Sequence, residues 1–145
     1  MEERALIPDS RLRLYRRTSL ALAAVFGTVG LLFLLIPQRV IDFFNRISPG
    51  LGFLESPDCG TGFYIVLAVG YMVLVTWLAF LMARHPENPH FPMLLIGGKA
   101  SSSVLSFAMF AVQGPYLVYL ANGIVDGTIA LGVYLLFRKT RVKAG

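Results

Sequence analysis

The sequence predicts an all-α, polytopic membrane protein of four transmembrane helices, with a short interfacial amphipathic helix in the first outer loop. Four apolar stretches cover residues 18–36, 62–82, 91–112 and 116–137, and each is close to the ~20 residues that a bilayer core requires. Hydrophobic residues make up 56% of the chain and charged residues 14%, against about 25% charged in soluble domains. These spans and their short connections use most of the chain, so we expect residues 1–145 to form a single domain.

The basic residues predict the orientation of the spans. Of the 13 Lys and Arg residues, only Arg39 and Arg46 fall in the first loop, and Lys99 falls within a span. The others precede the first span, lie in the second loop or follow the fourth span. Cytoplasmic segments are enriched in Lys and Arg, so we expect the protein in a cell membrane with both termini in the cytoplasm. The same placement favours contact with anionic lipid over binding of nucleic acid.

The first loop is expected to contain an amphipathic helix over residues 38–48. Its polar residues fall on one side of a helical wheel, and its apolar residues, including Phe43 and Phe44, fall on the other. Pro37 is favoured at a helix start, and a Pro-Gly pair ends the segment. Two positions are open for this helix: it lies in the outer membrane interface with its phenylalanines in the acyl boundary, or it covers the outer mouth of the bundle.

Small residues predict how the spans pack, because lipid provides no hydrophobic force between helices and close backbone approach takes its place. Gly27 lies on a small-residue stripe of the first span, and Gly98 lies on one of the third. Gly123 and Gly127 form a GxxxG pair in the fourth span. The matching stripes on the third and fourth spans, joined by a short turn, predict that these two helices form a tight hairpin.

Lys99 and Asp126 are the formally charged residues of the four stretches. Counted outward from the turn at 1.5 Å per residue, their depths differ by ~4.5 Å, which a lysine stem can cover. An isolated charge at this depth costs at least ~2.5 to 3.5 kcal/mol, so we predict a buried pair, with Lys99 snorkelling alone as the alternative. Polar residues on the same two helical faces complete an intramembrane polar cluster. Its members are Lys99, Ser102, Ser103, Ser106, Asn122 and Asp126.

The sequence offers little for catalysis or metal binding. It contains one cysteine, Cys59, and its two histidines, His85 and His90, lie in a proline-containing turn without a known ligand spacing. It contains no phosphate loop, nucleophile elbow or paired carboxylates. We therefore predict no catalytic residue, no metal and no obligatory cofactor, and a non-catalytic role is favoured over an enzymatic one.

Residues 30–44 carry a family resemblance. The first span ends in Gly30-Leu-Leu-Phe-Leu-Leu-Ile-Pro37 and continues into Gln38-Arg-Val-Ile-Asp-Phe-Phe44. This arrangement resembles the DoxX-like group of small four-helix bacterial membrane proteins. Some members of that group are subunits of membrane oxidoreductases acting on quinone, so the resemblance implies an accessory role and a location in a bacterial inner membrane. It transfers no functional residue to this chain.

Three functions are compatible with the sequence. The favoured one is a non-catalytic subunit or scaffold of a membrane complex or homo-oligomer, whose partners are the lipid bilayer and other membrane subunits or copies of itself. The second is a small channel or transporter for an ion, a proton or a small polar solute, organised around Lys99 and Asp126. The third is a quinone- or lipid-handling membrane enzyme, for which quinone or lipid is the expected bound molecule.

Overall fold

The computed structural model describes residues 9–56 and 61–141, which form five α-helices and one 3-10 turn. In chain order these are α1 (Asp9–Leu35), α2 (Pro37–Ile47), the 3-10 turn Pro49–Leu51, α3 (Thr61–Arg84), α4 (His90–Val112) and α5 (Leu117–Arg141). All helices except α2 contain a segment long and apolar enough to cross a membrane. The all-α fold with four candidate spans and one short additional helix is therefore confirmed.

The first and last helices extend further than the apolar pattern predicted. α1 begins at Asp9 instead of residue 18, and α5 continues to Arg141 instead of residue 137. The hydropathy pattern marks only the apolar part of a helix, whereas arginine and lysine are good helix formers that continue it into the headgroup region. At 1.5 Å per residue the 27 residues of α1 span ~40 Å, which exceeds the ~30 Å hydrocarbon core. The added turns are packed, since Tyr15 is only 1% exposed.

The spans associate as two close pairs, α1 with α3 and α4 with α5. We call the end of the bundle with the α4–α5 turn the outer end and the opposite end the inner end, following the predicted orientation. The apolar core lies between the two pairs. Its fully buried members are Tyr15, Phe26, Val75, Leu78, Ala79, Met82, Leu95 and Val133. Most of these lie in the inner half of their helices, so the apolar core occupies the inner half of the bundle.

Close contacts of glycine confirm the α4–α5 hairpin. A Cβ added to Gly123 would lie 3.0 Å from the Phe107 ring, and one added to Gly127 would lie 2.9 Å from Ser103 Oγ. Gly98 differs from our expectation, because its missing Cβ points to the Tyr71 hydroxyl of α3 at 3.5 Å and not to α5.

The α1–α3 contact also depends on glycine. Gly27 faces Thr76 at an ordinary 3.7 Å, whereas Gly30 comes closer, with 3.0 Å between its added Cβ and Met72 Cβ. Gly30 is therefore the tighter of the two contacts, although the small-residue stripe singled out Gly27.

Hydrogen bonds fold the outer loop onto α2 and join it to the α4–α5 turn. Asn45 exchanges two hydrogen bonds with the backbone of Ser56, donating from Nδ2 to the carbonyl at 3.0 Å and accepting from the N–H at 2.7 Å. Further along the loop, the Leu54 N–H donates to the Pro115 carbonyl of the α4–α5 turn at 3.3 Å. α2 has no buried residue, and Phe43 is 60% exposed. The amphipathic helix is thus present, one residue earlier than predicted, while its place in the membrane interface stays a prediction.

Candidate functional site

Lys99 and Asp126 form a buried ion pair between α4 and α5. Lys99 Nζ donates to Asp126 Oδ1 at 2.7 Å, and the two side chains are 1% and 4% exposed. Burying one such charge alone is costly, so each residue neutralises the other. The predicted pair is confirmed, and the geometry excludes a Lys99 side chain that snorkels alone to the inner membrane surface.

Two aromatic rings complete the surroundings of the lysine. Lys99 Nζ lies 4.7 Å from the centre of the Phe26 ring of α1 and 5.1 Å from that of the Tyr71 ring of α3. The negative face of an aromatic ring attracts a cation, by about 2 kcal/mol or more when the cation is desolvated. Lys99 thus contacts one residue from each of the other three spans, and the four helices meet at its ammonium group.

Sequence reasoning missed Phe26 and Tyr71. A signal was available, because both rings lie away from the span ends, where interfacial aromatic residues gather. A mid-span aromatic residue in a chain with a mid-span lysine is a candidate partner for that cation. The α1–α3 pairing that brings both rings to Lys99 is a tertiary feature, however, and the pattern within either helix does not encode it.

The hydrogen bonding around the pair is incomplete. Asp126 Oδ2 and the Tyr71 hydroxyl are buried and have no hydrogen-bond partner among the described residues. A buried polar atom without a partner costs roughly 1 to 3 kcal/mol. The carboxylate therefore keeps one free acceptor next to its bond with Lys99, and Tyr71 keeps a free hydroxyl.

The rest of the predicted polar cluster joins α4 to α5 further toward the outer end. Asn122 Nδ2 donates to Ser106 Oγ at 2.7 Å and more weakly to Ser102 Oγ at 3.3 Å. Ser103 Oγ donates to the Gly123 carbonyl at 2.7 Å. The structure thus brings all six members of the polar cluster to the α4–α5 contact, as a ladder of hydrogen bonds with the ion pair at its inner end.

Grooves open on the surface of the described part of the bundle, and two of them bear on the site. The first, which we call the hydroxyl-lined groove, has a volume of about 430 Å³. It is lined by Tyr71, Gly98, Ser101, Ser102, Leu105, Ser106, Met109 and Tyr119. The second, the apolar groove, has a volume of about 210 Å³ and lies between α1 and α3, next to Gly27, Gly30 and Trp77. Neither Lys99 nor Asp126 lines either groove.

The turn between α3 and α4 forms a polar surface at the inner end. His85 Nδ1 lies 3.6 Å from Glu87 Oε1, and both side chains are largely exposed. Among residues 9–56 and 61–141, no three His, Cys, Asp or Glu side chains converge as metal ligands. Cys59 lies outside the described residues.

Comparison with known proteins adds no homologue to this picture. No protein-family model matches the chain, and no significant match is found among curated proteins or solved structures. The DoxX-like resemblance of residues 30–44 therefore stays a prediction. The findings identify the chain as a small four-span membrane protein with a buried Lys99–Asp126 salt bridge between its last two helices.

Proposed function

We propose that this protein is a non-catalytic membrane subunit or scaffold, and that the Lys99–Asp126 pair fixes the arrangement of its four helices. The observation that carries the proposal is the position of Lys99, which bonds α5 and contacts rings of α1 and α3 from its place on α4. Fixing the relative alignment of packed helices is the best-attested role of a buried polar pair, because only one alignment of the helices neutralises both charges.

The exposure of the pair supports this role over transport. Both side chains are almost completely buried, and neither lines one of the two grooves. A solute that enters the bundle from either groove therefore meets hydroxyl or apolar groups before it reaches a charge. A scaffold in which the two charges contact only groups within the bundle accounts for this burial.

We place the surface for association with a second membrane helix on α5. Thr128 and Gly132, four residues apart, are both exposed, and a Cβ added to Gly132 would meet no atom within 4 Å. Small residues at this spacing allow two helix backbones to approach closely in lipid. The proposed partner is another membrane subunit or a second copy of this chain, in a cell membrane with both termini in the cytoplasm.

Native mass spectrometry of the protein, extracted from its own membrane, tests this proposal. We expect the wild type to carry a second subunit, and Gly132→Leu to release it. Gly70→Leu on α3 is the matched control, because Gly70 is also exposed and its added Cβ also meets no atom within 4 Å. A wild type that is strictly monomeric, or equal behaviour of the two variants, would contradict the scaffold proposal.

Transport is the second candidate function, and one observation favours it. The free Oδ2 acceptor of Asp126, beside the Lys99 side chain, is the kind of group that binds a proton or an ion within a membrane. Flux of protons and of small cations into liposomes that contain the purified protein separates the two functions. Under the scaffold proposal the flux equals that of protein-free liposomes. Flux that Asp126→Asn abolishes would instead assign transport to this pair.

A further inference from the structure

The hydroxyl-lined groove has the size and the position of a binding site for a molecule dissolved in the bilayer. Its volume of about 430 Å³ falls within the ~300 to 1,000 Å³ typical of small-molecule pockets. Its α4 residues run from Gly98 to Met109, from the middle of that helix toward its outer end. Molecules therefore reach it sideways, from the hydrocarbon region of the bilayer.

Small residues create this groove. Gly98 has no side chain, and a Cβ built there would lie 3.5 Å from the Tyr71 hydroxyl. Ser101 and Ser102 follow along the same wall. A large residue at any of these three positions would fill the space next to Tyr71.

The lining of the groove presents hydrogen-bond donors and no formal charge. The Tyr71 hydroxyl is buried and has no partner within the described chain. Tyr119 and Ser106, by contrast, already take part in bonds, since Tyr119 donates to Gln113 and Ser106 accepts from Asn122. Tyr71 is thus the hydroxyl of this lining that is buried without a partner in the described part of the chain, and a ligand in the groove can supply one. A neutral acceptor suits it best, since no side chain of the lining carries a charge that would bind an ion.

We propose that the hydroxyl-lined groove binds a membrane-dissolved amphiphile by its carbonyl oxygen. In this arrangement the Tyr71 hydroxyl donates to the carbonyl, and the apolar tail lies along Leu105 and Met109. A carbonyl of this kind comes either from an ester-linked phospholipid or from a quinone. A helix of a second copy fits less well, because the large exposed side chains of the described spans are mostly hydrocarbon and supply few acceptors for Tyr71. This site is independent of the α5 surface proposed for association.

Native mass spectrometry of the full chain in nanodiscs of three compositions distinguishes the sources. The first contains ester-linked phospholipid, the second contains only ether-linked phospholipid, which has no carbonyl, and the third adds decylubiquinone to the ether-linked lipid. We expect a retained adduct in the first if phospholipid is the ligand, and in the third if quinone is. We expect no retained adduct in the nanodisc that contains only ether-linked phospholipid. Equal adducts in all three, or an adduct in none, would overturn the proposal.

Two variants locate the adduct. Tyr71→Phe removes the hydroxyl but keeps the ring beside Lys99, and we expect it to reduce the retained adduct about fivefold, the net value of one hydrogen bond. Its melting temperature should be unchanged or higher, because the hydroxyl has no protein partner. Tyr134→Phe on α5 is the control, since Tyr134 does not line the groove.

Leu105→Trp fills the groove and should abolish the adduct, whereas Val104→Trp should not. The two residues are neighbours with similar exposure, 63% and 67%, but only Leu105 lines the groove. Equal adduct loss in both tryptophan variants would overturn the assignment. A change of copy number in Leu105→Trp without loss of an adduct would instead indicate that a second copy of the chain occupies the groove.

Discussion

Ser103 and Gly127 make a close contact between α4 and α5. Ser103 Oγ donates to the Gly123 carbonyl. A Cβ added to Gly127 would lie 2.9 Å from the same Ser103 Oγ. This distance is shorter than a carbon–oxygen contact allows, so Gly127→Ala forces the serine to move or the helices to separate. We expect the variant to lose about 1 to 3 kcal/mol of stability, as in other overpacked sites, measured by thermal unfolding in detergent.

A second substitution, Ser103→Ala, should rescue the Gly127→Ala variant. Ser103→Ala alone should cost about 1 kcal/mol, the value of its hydrogen bond, but it also removes the oxygen that clashes with the methyl group added by Gly127→Ala. The double variant should therefore be more stable than the sum of the single effects. Gly70→Ala on α3, where the added Cβ also meets no atom within 4 Å, is the control and should not destabilise. If the stability losses of the two single variants simply add, the methyl group of Gly127→Ala does not clash with Ser103.

At the scale of elements, Asn45 connects α2 to the chain that follows it. Its amide makes both hydrogen bonds to the Ser56 backbone. Asn45→Ala should lower stability by about 1 to 3 kcal/mol, because two bonds are lost and the Ser56 groups lose their partner. Asn45→Asp keeps the acceptor for the Ser56 N–H and loses the donor, so its thermal unfolding should fall between wild type and Asn45→Ala. An Asn45→Asp variant less stable than Asn45→Ala would contradict this ranking.

The membrane position of α2 is tested by spin labels at two adjacent positions. A label at Phe43, which is 60% exposed, should collide mainly with oxygen dissolved in lipid if this face enters the acyl boundary. A label at Asp42, which is also exposed, should collide mainly with a water-soluble nickel reagent. Equal accessibility of both positions to the nickel reagent would place α2 in bulk water.

The elements were predictable because their signals are local. The wheel of residues 38–48 and the apolar runs identified every helix of the described chain, and Pro37 gave the start of α2. The starting residue of α1 was not predictable from hydropathy, because Arg11, Arg13, Arg16 and Arg17 read as a charged flank although they continue the helix. The burial of Tyr15 depends on packing against other helices, which no single stretch reveals.

At the scale of the whole molecule, the charge distribution predicts that both termini face the cytoplasm. In a Cys59→Ser background, a cysteine at Leu51 should react with a membrane-impermeant maleimide added outside intact cells. A cysteine at Glu87, in the exposed α3–α4 turn, should react only after the membrane is opened. If the cysteine at Glu87 reacts from outside intact cells and the one at Leu51 does not, the termini face outward and the predicted orientation is wrong.

The candidate site was predictable only in part. Depth counting along one hairpin was enough to pair Lys99 with Asp126, since the short α4–α5 turn sets the register of both helices. Phe26 and Tyr71 reach Lys99 from the other helix pair, and the packing between pairs is not encoded in any local spacing. The direction of Gly98 toward Tyr71 has the same origin, because a small residue permits a close contact on its helix face without specifying which helix makes it.

The central claim is that Lys99 and Asp126 act as one coupled pair, each neutralising the other inside the bundle, and a double-mutant cycle tests it most directly. Lys99→Met or Asp126→Leu alone leaves one buried charge without its partner and should cost ~3 to 5 kcal/mol, whereas the double variant should be nearly neutral. Gln38→Met with Asp42→Leu, at an exposed 3.3 Å contact in α2, is the control cycle and should show a coupling of only about 0.3 kcal/mol. The measurement is thermal unfolding in one detergent for all variants. Recovery of stability in the Lys99→Met, Asp126→Leu protein is the predicted result, and strictly additive losses at these two residues would contradict the account.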